Sequence, residues 1–309
     1  MYKRQLVERE EEDYRQRGPL SWGLDPNQDR ERDTDSVAIE YRSDVSDSLS
    51  LALSGRYDDN SEFDSSNTYR VEAVYQLNDN ARLRGAYGTA VKNPTFSERF
   101  GFYTNFIGNP NLEPEESTSW ELGIDQQIGD LSLSATVFDA ELDNEIDGFV
   151  YDAVNFGYTA ANKEGRSKRQ GAEVTAATNI NESLSINAAY TYTDSVEPDG
   201  AGGLQDEVRR ARHTASLNLA WQALDNLHIN TNAQYNGSQL DQFFPPWPNP
   251  SEMVRLSDYT LLNINANYSA SDKLDIYLRL DNLLDENYEE VYGYQTLGFG
   301  ASLGLRYAL

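Results

Sequence analysis

The side chains that could do chemistry in this sequence are carboxylates and aromatic rings, because it has no Cys and only two His. The histidines, His213 and His228, have no partner at the spacing of a zinc or metalloprotease site. The sequence also has no G-x-S-x-G elbow and no glycine-rich phosphate loop between a strand and a helix. We therefore expect no enzymatic activity, and we interpret both histidines as packing residues on strands.

One acidic run is a candidate metal site. Hard cations such as calcium prefer clustered carboxylate and amide oxygens. The run lacks the glycine and the closing glutamate of an EF-hand, so we favour a solvated acidic loop and expect no other cofactor. The candidate calcium ligands are Asp58, Asp59, Asn60, Glu62 and Asp64.

Aromatic residues are grouped in three long connections. Exposed rings mark an interaction site unless they pack on each other. A large, partly apolar solute would be held by such rings, with packing of the loops on themselves as the alternative. The candidate ligand-binding residues are Phe100, Phe102, Tyr103, Phe106, Phe243, Phe244, Trp247, Tyr288, Tyr292 and Tyr294.

The overall charge is strongly negative. Lys and Arg total 25 and Asp and Glu total 51, which gives 25 − 51 = −26. Nucleic acid is excluded as a partner, because phosphate binding needs clustered basic residues. Arg209, Arg210 and Arg212 lie near the end of a predicted strand, where they could contact an anionic ligand. We favour the simpler interpretation that they balance nearby carboxylates.

Period-two alternation dominates the chain and predicts strands with one apolar and one polar face. We count about 13 complete strands and a partial one near residues 2–12, with no competing helical period. No apolar run is long enough for a transmembrane helix. In the clearest strand we expect four residues to face lipid, namely Leu274, Ile276, Leu278 and Leu280. We expect the alternating residues Asp275, Tyr277 and Arg279 to face the lumen.

The predicted connections alternate between short and long. The short ones lie near 43–48, 78–80, 128–130, 180–183, 223–226 and 270–272, and the long ones near 13–33, 58–66, 91–116, 195–208, 238–257 and 284–297. Short turns at one end and long loops at the other are typical of transmembrane barrels. The apolar face also carries rings near strand ends, as an interfacial girdle would. These rings are Tyr57, Tyr75, Tyr87, Trp120, Tyr190, Tyr192, Trp221, Tyr235, Tyr268 and Tyr307.

Five segments in order resemble the TonB-dependent outer-membrane receptors. They are RYDDNSEF at Arg56–Phe63, the run Tyr69–Phe100, GNPNLEPEESTSWELGID at Gly108–Asp125, GRSKRQGAEVTA at Gly165–Ala176 and DNLLDENYEEVYGYQT at Asp281–Thr296. The resemblance implies an all-β, antiparallel up-and-down transmembrane barrel of ~22 strands closed by an N-terminal plug. This chain would supply about 14 C-terminal strands, with the plug, the coupling box and the signal peptide missing.

The resemblance also implies a function. Such a receptor sits in the outer membrane of a Gram-negative bacterium, captures a scarce bulky solute and imports it with energy from the TonB complex. Leu204–Gln222 and Leu283–Thr296 look most like cobalamin receptors, and ferric siderophores are the other ligand class that we consider. A passive porin or an adhesin barrel is the alternative function, and it would lack the receptor motifs.

The two ends of the sequence carry further expectations. Met1–Gln5 resembles a translated sequencing adapter, so we interpret residues 1–5 as an artefactual start, 1–12 as a truncated strand and 13–309 as the barrel domain. A genuine short leader is the alternative. The alternating C-terminus resembles the signal read by the barrel assembly machinery, although it closes on Leu rather than Phe or Trp. The signal residues are Leu303, Leu305, Tyr307 and Leu309.

Overall fold

The computed structural model describes residues 2–20, 25–102, 106–246 and 248–308. Strands account for most of these residues, and one helix of five residues interrupts them. The elements are β1 Tyr2–Gln16, β2 Gln28–Ser46, β3 Leu49–Asn60, β4 Ser66–Asn78, β5 Ala81–Lys92, α1 Phe96–Phe100, β6 Glu115–Ile128, β7 Leu131–Asp143, β8 Ile146–Asp152, β9 Gly157–Asn162, β10 Arg166–Asn181, β11 Leu184–Pro198, β12 Leu204–Asp206, β13 His213–Leu224, β14 Leu227–Asn236, β15 Gln239–Phe243, β16 Glu252–Leu256, β17 Tyr259–Ser271, β18 Leu274–Asp281 and β19 Gly300–Tyr307.

Within the described residues, the main sheet follows the order β1-β2-β3-β4-β5-β6-β7-β10-β11-β13-β14-β17-β18-β19, with β12 added to β11. Every pair in this order is antiparallel, and β1 and β19 form the two ends of an unclosed sheet. The predicted up-and-down meander is therefore confirmed. Two hairpins, β8–β9 and β15–β16, stand outside the main sheet.

Turns and loops lie at opposite ends of the sheet. Six hairpins of the main sheet close through two-residue turns, at residues 47–48, 79–80, 129–130, 182–183, 225–226 and 272–273. Seven longer connections lie at the other end, at residues 17–27, 61–65, 93–114, 144–165, 199–212, 237–258 and 282–299. This confirms the predicted alternation of short and long connections, although 144–165 is not among the predicted long ones. The first long connection is shorter than predicted, because β1 and β2 continue through residues that are polar on both faces.

Register places the apolar residues side by side on one face of the sheet. Ile276 lies beside Tyr268 on β17 and beside Leu305 on β19, so the alternation read from each strand continues across its neighbours. Tyr75, Trp221 and Tyr268 each stand four residues before a two-residue turn. They form a row of half-exposed rings near the turn end, as expected for a girdle at a membrane interface.

A single-layer sheet has no interior of its own, and the burial pattern shows this. Among the described residues, the buried hydrophobic side chains other than proline are Ala81, Phe96, Phe106, Leu112, Ala160 and Leu256, and of these only Ala81 belongs to the main sheet. The hydrophobic core thus lies in the long connections. No helix in the described part of the chain is long and apolar enough to cross a membrane.

Candidate ligand-binding site at the long-connection end

The connection between β5 and β6 begins with α1, which packs against the β1–β2 hairpin. Thr95 caps α1 by accepting a hydrogen bond from the Glu98 backbone N–H, and the Glu98 carboxylate accepts one from the Thr95 backbone N–H. The Phe96 ring stacks on Tyr14 with centroids 5.5 Å apart. The Arg30 guanidinium lies 4.2 Å from the centre of the Phe100 ring. Phe100 is therefore occupied by a contact within the protein.

Arg32 and Arg99 also hold the connection between β5 and β6 in place. Arg32 is nearly buried, with its guanidinium bonded to Glu12 and to the Pro94 carbonyl at 2.9 Å. Arg99 pairs with Glu62 at 2.5 Å and lies 4.7 Å from the centre of the Phe63 ring. Arg99 thereby joins the 61–65 and 93–114 connections, and Arg32 joins β1 and β2 to the second of them.

The GNPNLEPEE segment, which begins at Gly108, contacts the next long connection, 144–165. Gly101 and Gly108 both have positive φ, 75° and 72°, and their backbones are so close that a Cβ on Gly108 would lie 2.3 Å from the Gly101 nitrogen. Asn109 Nδ2 donates to the Ala160 carbonyl at 3.0 Å, and the Glu113 backbone N–H donates to Asn162 Oδ1 at 2.9 Å. The motif thus positions the β8–β9 hairpin.

The β8–β9 hairpin carries a row of aromatic rings. Phe106 is only 3% exposed, in a cluster with Leu112, Ala160 and Ile146. From this anchor the rings run outward: Phe106 to Phe149 at 6.1 Å, then Phe149 to Tyr158 at 4.2 Å with planes 15° apart. Phe149 is 52% exposed and Phe156, at the tip with φ of 54°, is 82% exposed.

A second aromatic group lies over β14 to β18. Tyr292 meets Phe243 edge-on at 4.9 Å, and Tyr288 lies 4.3 Å from Tyr259. Phe244 and Tyr294 are exposed. This group and the β8–β9 row are thus built on separate parts of the sheet.

Asp241 holds the second group in place. This carboxylate is 0% exposed and accepts hydrogen bonds from Arg209 Nε at 2.8 Å, the Tyr292 backbone N–H at 2.7 Å and the Gln242 backbone N–H at 2.8 Å. Burial raises the pKa of Asp241, but these donors outweigh it and hold the pKa below the ordinary value. One carboxylate thereby links three long connections.

An ion-pair network joins the 144–165 and 199–212 connections. Lys163 bonds to Glu145 and Glu197, and Arg169 forms two hydrogen bonds with Glu207, at 2.9 and 3.0 Å. Burial raises the pKa of Glu207, yet the Arg169 and Ser195 hydrogen bonds lower it below the ordinary value overall. Burial lowers the pKa of Lys163, but its two glutamates raise it overall.

The structure separates the predicted residues into distinct roles. Phe106 is interior, Phe100 packs against Arg30, and Phe102 is 46% exposed beside Phe106 at 4.8 Å. Leu303, Leu305 and Tyr307 are exposed on the apolar face of β19. Three predicted residues lie outside the described part of the chain, namely Tyr103, Trp247 and Leu309.

Three of the five candidate calcium ligands are engaged by other groups of the protein. Asp58 pairs with Arg56 at 2.7 Å, Glu62 pairs with Arg99, and the Asn60 amide donates to Thr34 Oγ1 at 2.7 Å. Among the described residues, no group of three or more His, Cys, Asp or Glu is placed to hold a metal ion. Calcium binding at this run is the less favoured alternative to a solvated acidic loop, and it stays untested.

Arg209, Arg210 and Arg212 each pair with a carboxylate, as favoured from the sequence. Their partners are Asp241, Glu207 and Asp206, respectively.

Sequence reasoning missed the β8–β9 hairpin and its rings. Phe149, Tyr151, Phe156 and Tyr158 were not among the candidates, although an aromatic at every second position of 149–151 and 156–158 was the available signal. Asp241 was missed too, because its partners lie 32 and 51 residues away.

The meander, with short turns at one end and long connections at the other, is the architecture of an outer-membrane-type barrel. The family model described as TonB dependent receptor-like, beta-barrel matches residues 4–283, and the chain belongs to this family.

Solved structures share the fold. The siderophore receptor PirA from Acinetobacter baumannii is 21% identical with a TM-score of 0.74, over 92% of this chain and 46% of that one. The ferripyoverdine receptor of the outer membrane of Pseudomonas aeruginosa is 21% identical with a TM-score of 0.72, over 93% and 40%. The ferric-catecholate import receptor Fiu from E. coli K12 is 16% identical with a TM-score of 0.71, over 97% and 50%. The chain therefore spans about half the length of these receptors or less.

Proposed function

We propose that this chain is the C-terminal barrel portion of an outer-membrane receptor that captures a bulky metal chelate and imports it with energy from TonB. The observation that carries the proposal is the set of seven long connections at one end of the sheet, at residues 17–27, 61–65, 93–114, 144–165, 199–212, 237–258 and 282–299, which we call the loop layer. Seven long connections stand at one end of a membrane-type sheet, and they present exposed rings on a braced framework. Rings with a few fixed polar groups suit a large, partly apolar solute.

A ferric siderophore is the ligand that we propose first. The three receptors compared above are named for siderophores or for a ferric catecholate, and each shares this fold. Cobalamin is the second candidate, supported by the resemblance of Leu204–Gln222 and Leu283–Thr296 to cobalamin receptors. Both ligands would meet the exposed faces of Phe102 and Tyr292.

The test is equilibrium binding and energised uptake by the full receptor, with a panel of ferric siderophores beside cobalamin. We expect Phe102→Ala and Tyr292→Ala to weaken binding by roughly ten- to a hundredfold without lowering barrel stability. Cobalamin binding without siderophore binding would make cobalamin the ligand and would leave the proposed receptor function standing. Uptake that is independent of the inner-membrane energy supply would favour the passive porin instead.

A further inference from the structure

The β8–β9 hairpin combines exposed rings with negative charge and no positive charge. Residues 146–162 contain the carboxylates Asp147 and Asp152 but neither Lys nor Arg. Asp147 accepts a hydrogen bond from the Phe149 backbone N–H at 3.1 Å, and Asp152 accepts one from the Val154 backbone N–H at 2.8 Å. Both carboxylates are therefore held close to the exposed rings.

Basic residues of the loop layer are already engaged by carboxylates. In the long connections, whose charged residues are all described, six of the basic side chains form ion pairs: Arg17, Arg99, Lys163, Arg209, Arg210 and Arg212. The remaining one, Arg255, donates to Ser238 Oγ at 3.5 Å. The layer thus offers no cluster of free cations for an anionic ligand.

The 282–299 connection repeats the composition of the hairpin. It contains the carboxylates Asp285, Glu286, Glu289 and Glu290, again without Lys or Arg. Its rings Tyr292, Tyr294 and Phe299 are exposed. Two separate loops therefore both combine exposed aromatic rings with carboxylates, and both lack Lys and Arg.

We infer that the β8–β9 hairpin is a docking surface for the positively charged, apolar part of a cationic metal chelate. A cation over an aromatic face is attracted by the ring quadrupole, and neighbouring carboxylates add to that attraction. A triply anionic tris-catecholate complex would instead meet like charge on both loops. The inference rests on the proposed function and narrows its ligand by charge.

The test measures binding to the full receptor with three ferric complexes. The first is a linear trihydroxamate that ends in a protonated amine, and its complex is singly cationic. The second is the same chelator acetylated on that amine, which removes the charge at almost unchanged size. The third is a tris-catecholate. We expect the cationic complex to bind roughly three- to thirtyfold more tightly than its acetylated form, and the tris-catecholate to bind most weakly.

Two sets of variants locate the effect. The double variant Asp147→Asn, Asp152→Asn keeps the oxygens that accept the turn hydrogen bonds but removes both negative charges. The ratio of the affinities for the cationic and the acetylated complex should therefore fall toward one. Phe149→Ala should weaken binding of the cationic complex by roughly three- to tenfold. Leu204→Ala, at an exposed apolar residue of another long connection, is the matched control and should change nothing.

The outcomes separate the inference from the function beneath it. Equal binding of the cationic and acetylated complexes, or tightest binding of the tris-catecholate, would overturn the inference but leave the proposed receptor function standing. Equal effects of Phe149→Ala and Leu204→Ala would remove the hairpin as the docking surface. If the receptor bound none of the complexes and no cobalamin, the proposed function would fall and the inference with it.

Discussion

One strand and one carboxylate illustrate how differently the sheet and the layer of long connections are built. β10 is paired along nearly its whole length, with β7 on one side and β11 on the other. In the loop layer, the carboxylate of Asp241 contacts the 199–212, 237–258 and 282–299 connections through three hydrogen bonds. The sheet spreads its stabilisation over many equivalent backbone contacts, whereas the loop layer depends on a few side chains. We therefore expect single substitutions to be felt unevenly.

Phe106→Ala should have the largest effect on the loop layer. Truncating a buried Phe typically costs about 3–5 kcal/mol, because transfer energy is lost and a cavity remains. Hydrogen exchange of the β8–β9 amides should speed up accordingly, while exchange in β10 and β11 should not change. Phe102→Ala, in the same connection but half-exposed, should cost less. Equal losses in the hairpin and the sheet would contradict the division between the two regions.

Leu217→Arg tests the sheet in the same way. Leu217 lies midway along β13 on the apolar face, beside Ala188 and Ala233, whereas Asn218 faces the other side beside Asn187 and Asn232. An Arg at mid-membrane on the lipid face costs ~2–4 kcal/mol. Assembly of the full receptor into the membrane, followed by the heat-modified gel shift, should fail for Leu217→Arg and succeed for Asn218→Arg. Similar failure of both would refute the two-faced assignment.

Asp241→Ala should loosen three connections at once. It leaves two backbone donors and one guanidinium without their acceptor, at a cost of roughly 2–3 kcal/mol once the half-exposed Arg209 recovers water. Limited proteolysis should then cut within 237–258 and 282–299 more rapidly. Asp199→Ala, which removes a carboxylate that bonds only its own turn, is the control. Protection of both connections in Asp241→Ala would show that other contacts hold them.

Acidification should weaken the contacts of Glu207 with Arg169 and Ser195, and this should be the smallest of the four effects. The pKa of Glu207 is lowered in the folded protein, so its contribution is complete above the ordinary value of 4.5 and is lost as the pH falls through the lowered value. The protection of the 199–212 amides, that is, the ratio of intrinsic to observed exchange rate at each pH, should be constant from pH 7 to about pH 5 and should fall below about pH 4. Glu207→Gln should abolish that pH dependence. A transition near neutral pH would exclude Glu207 as its cause.

The sequence predicted the strands because the sheet has two chemically different faces. Leu274 to Leu280 alternates without interruption, and the structure pairs this strand with β17 and β19 on both sides. Alternation fails where both faces are polar. For that reason the sequence predicts a loop over Gln28–Asp33, which the structure shows as the first part of β2.

The loop layer could be predicted only in part. Clustered rings such as Phe100 and Phe106 showed where the loops carry aromatics, but not that one ring is interior and the other lies under Arg30. The β8–β9 hairpin was missed because its register shifts between Asp147 and Val150, which interrupts the alternation. The Asp241 contacts depend on tertiary structure and leave no local pattern.

The position of the rings near the two-residue turns sets how far the protein can reach on that side. The turns begin four residues after Tyr75, Trp221 and Tyr268. At a rise of ~3.3 Å per residue and a tilt near 45°, this corresponds to a height of roughly 9 Å. The turns would therefore form a low rim close to the lipid headgroups. A molecule that approaches the described part of the sheet from the turn side would therefore meet two-residue turns that stand about a nanometre from the level of the rings.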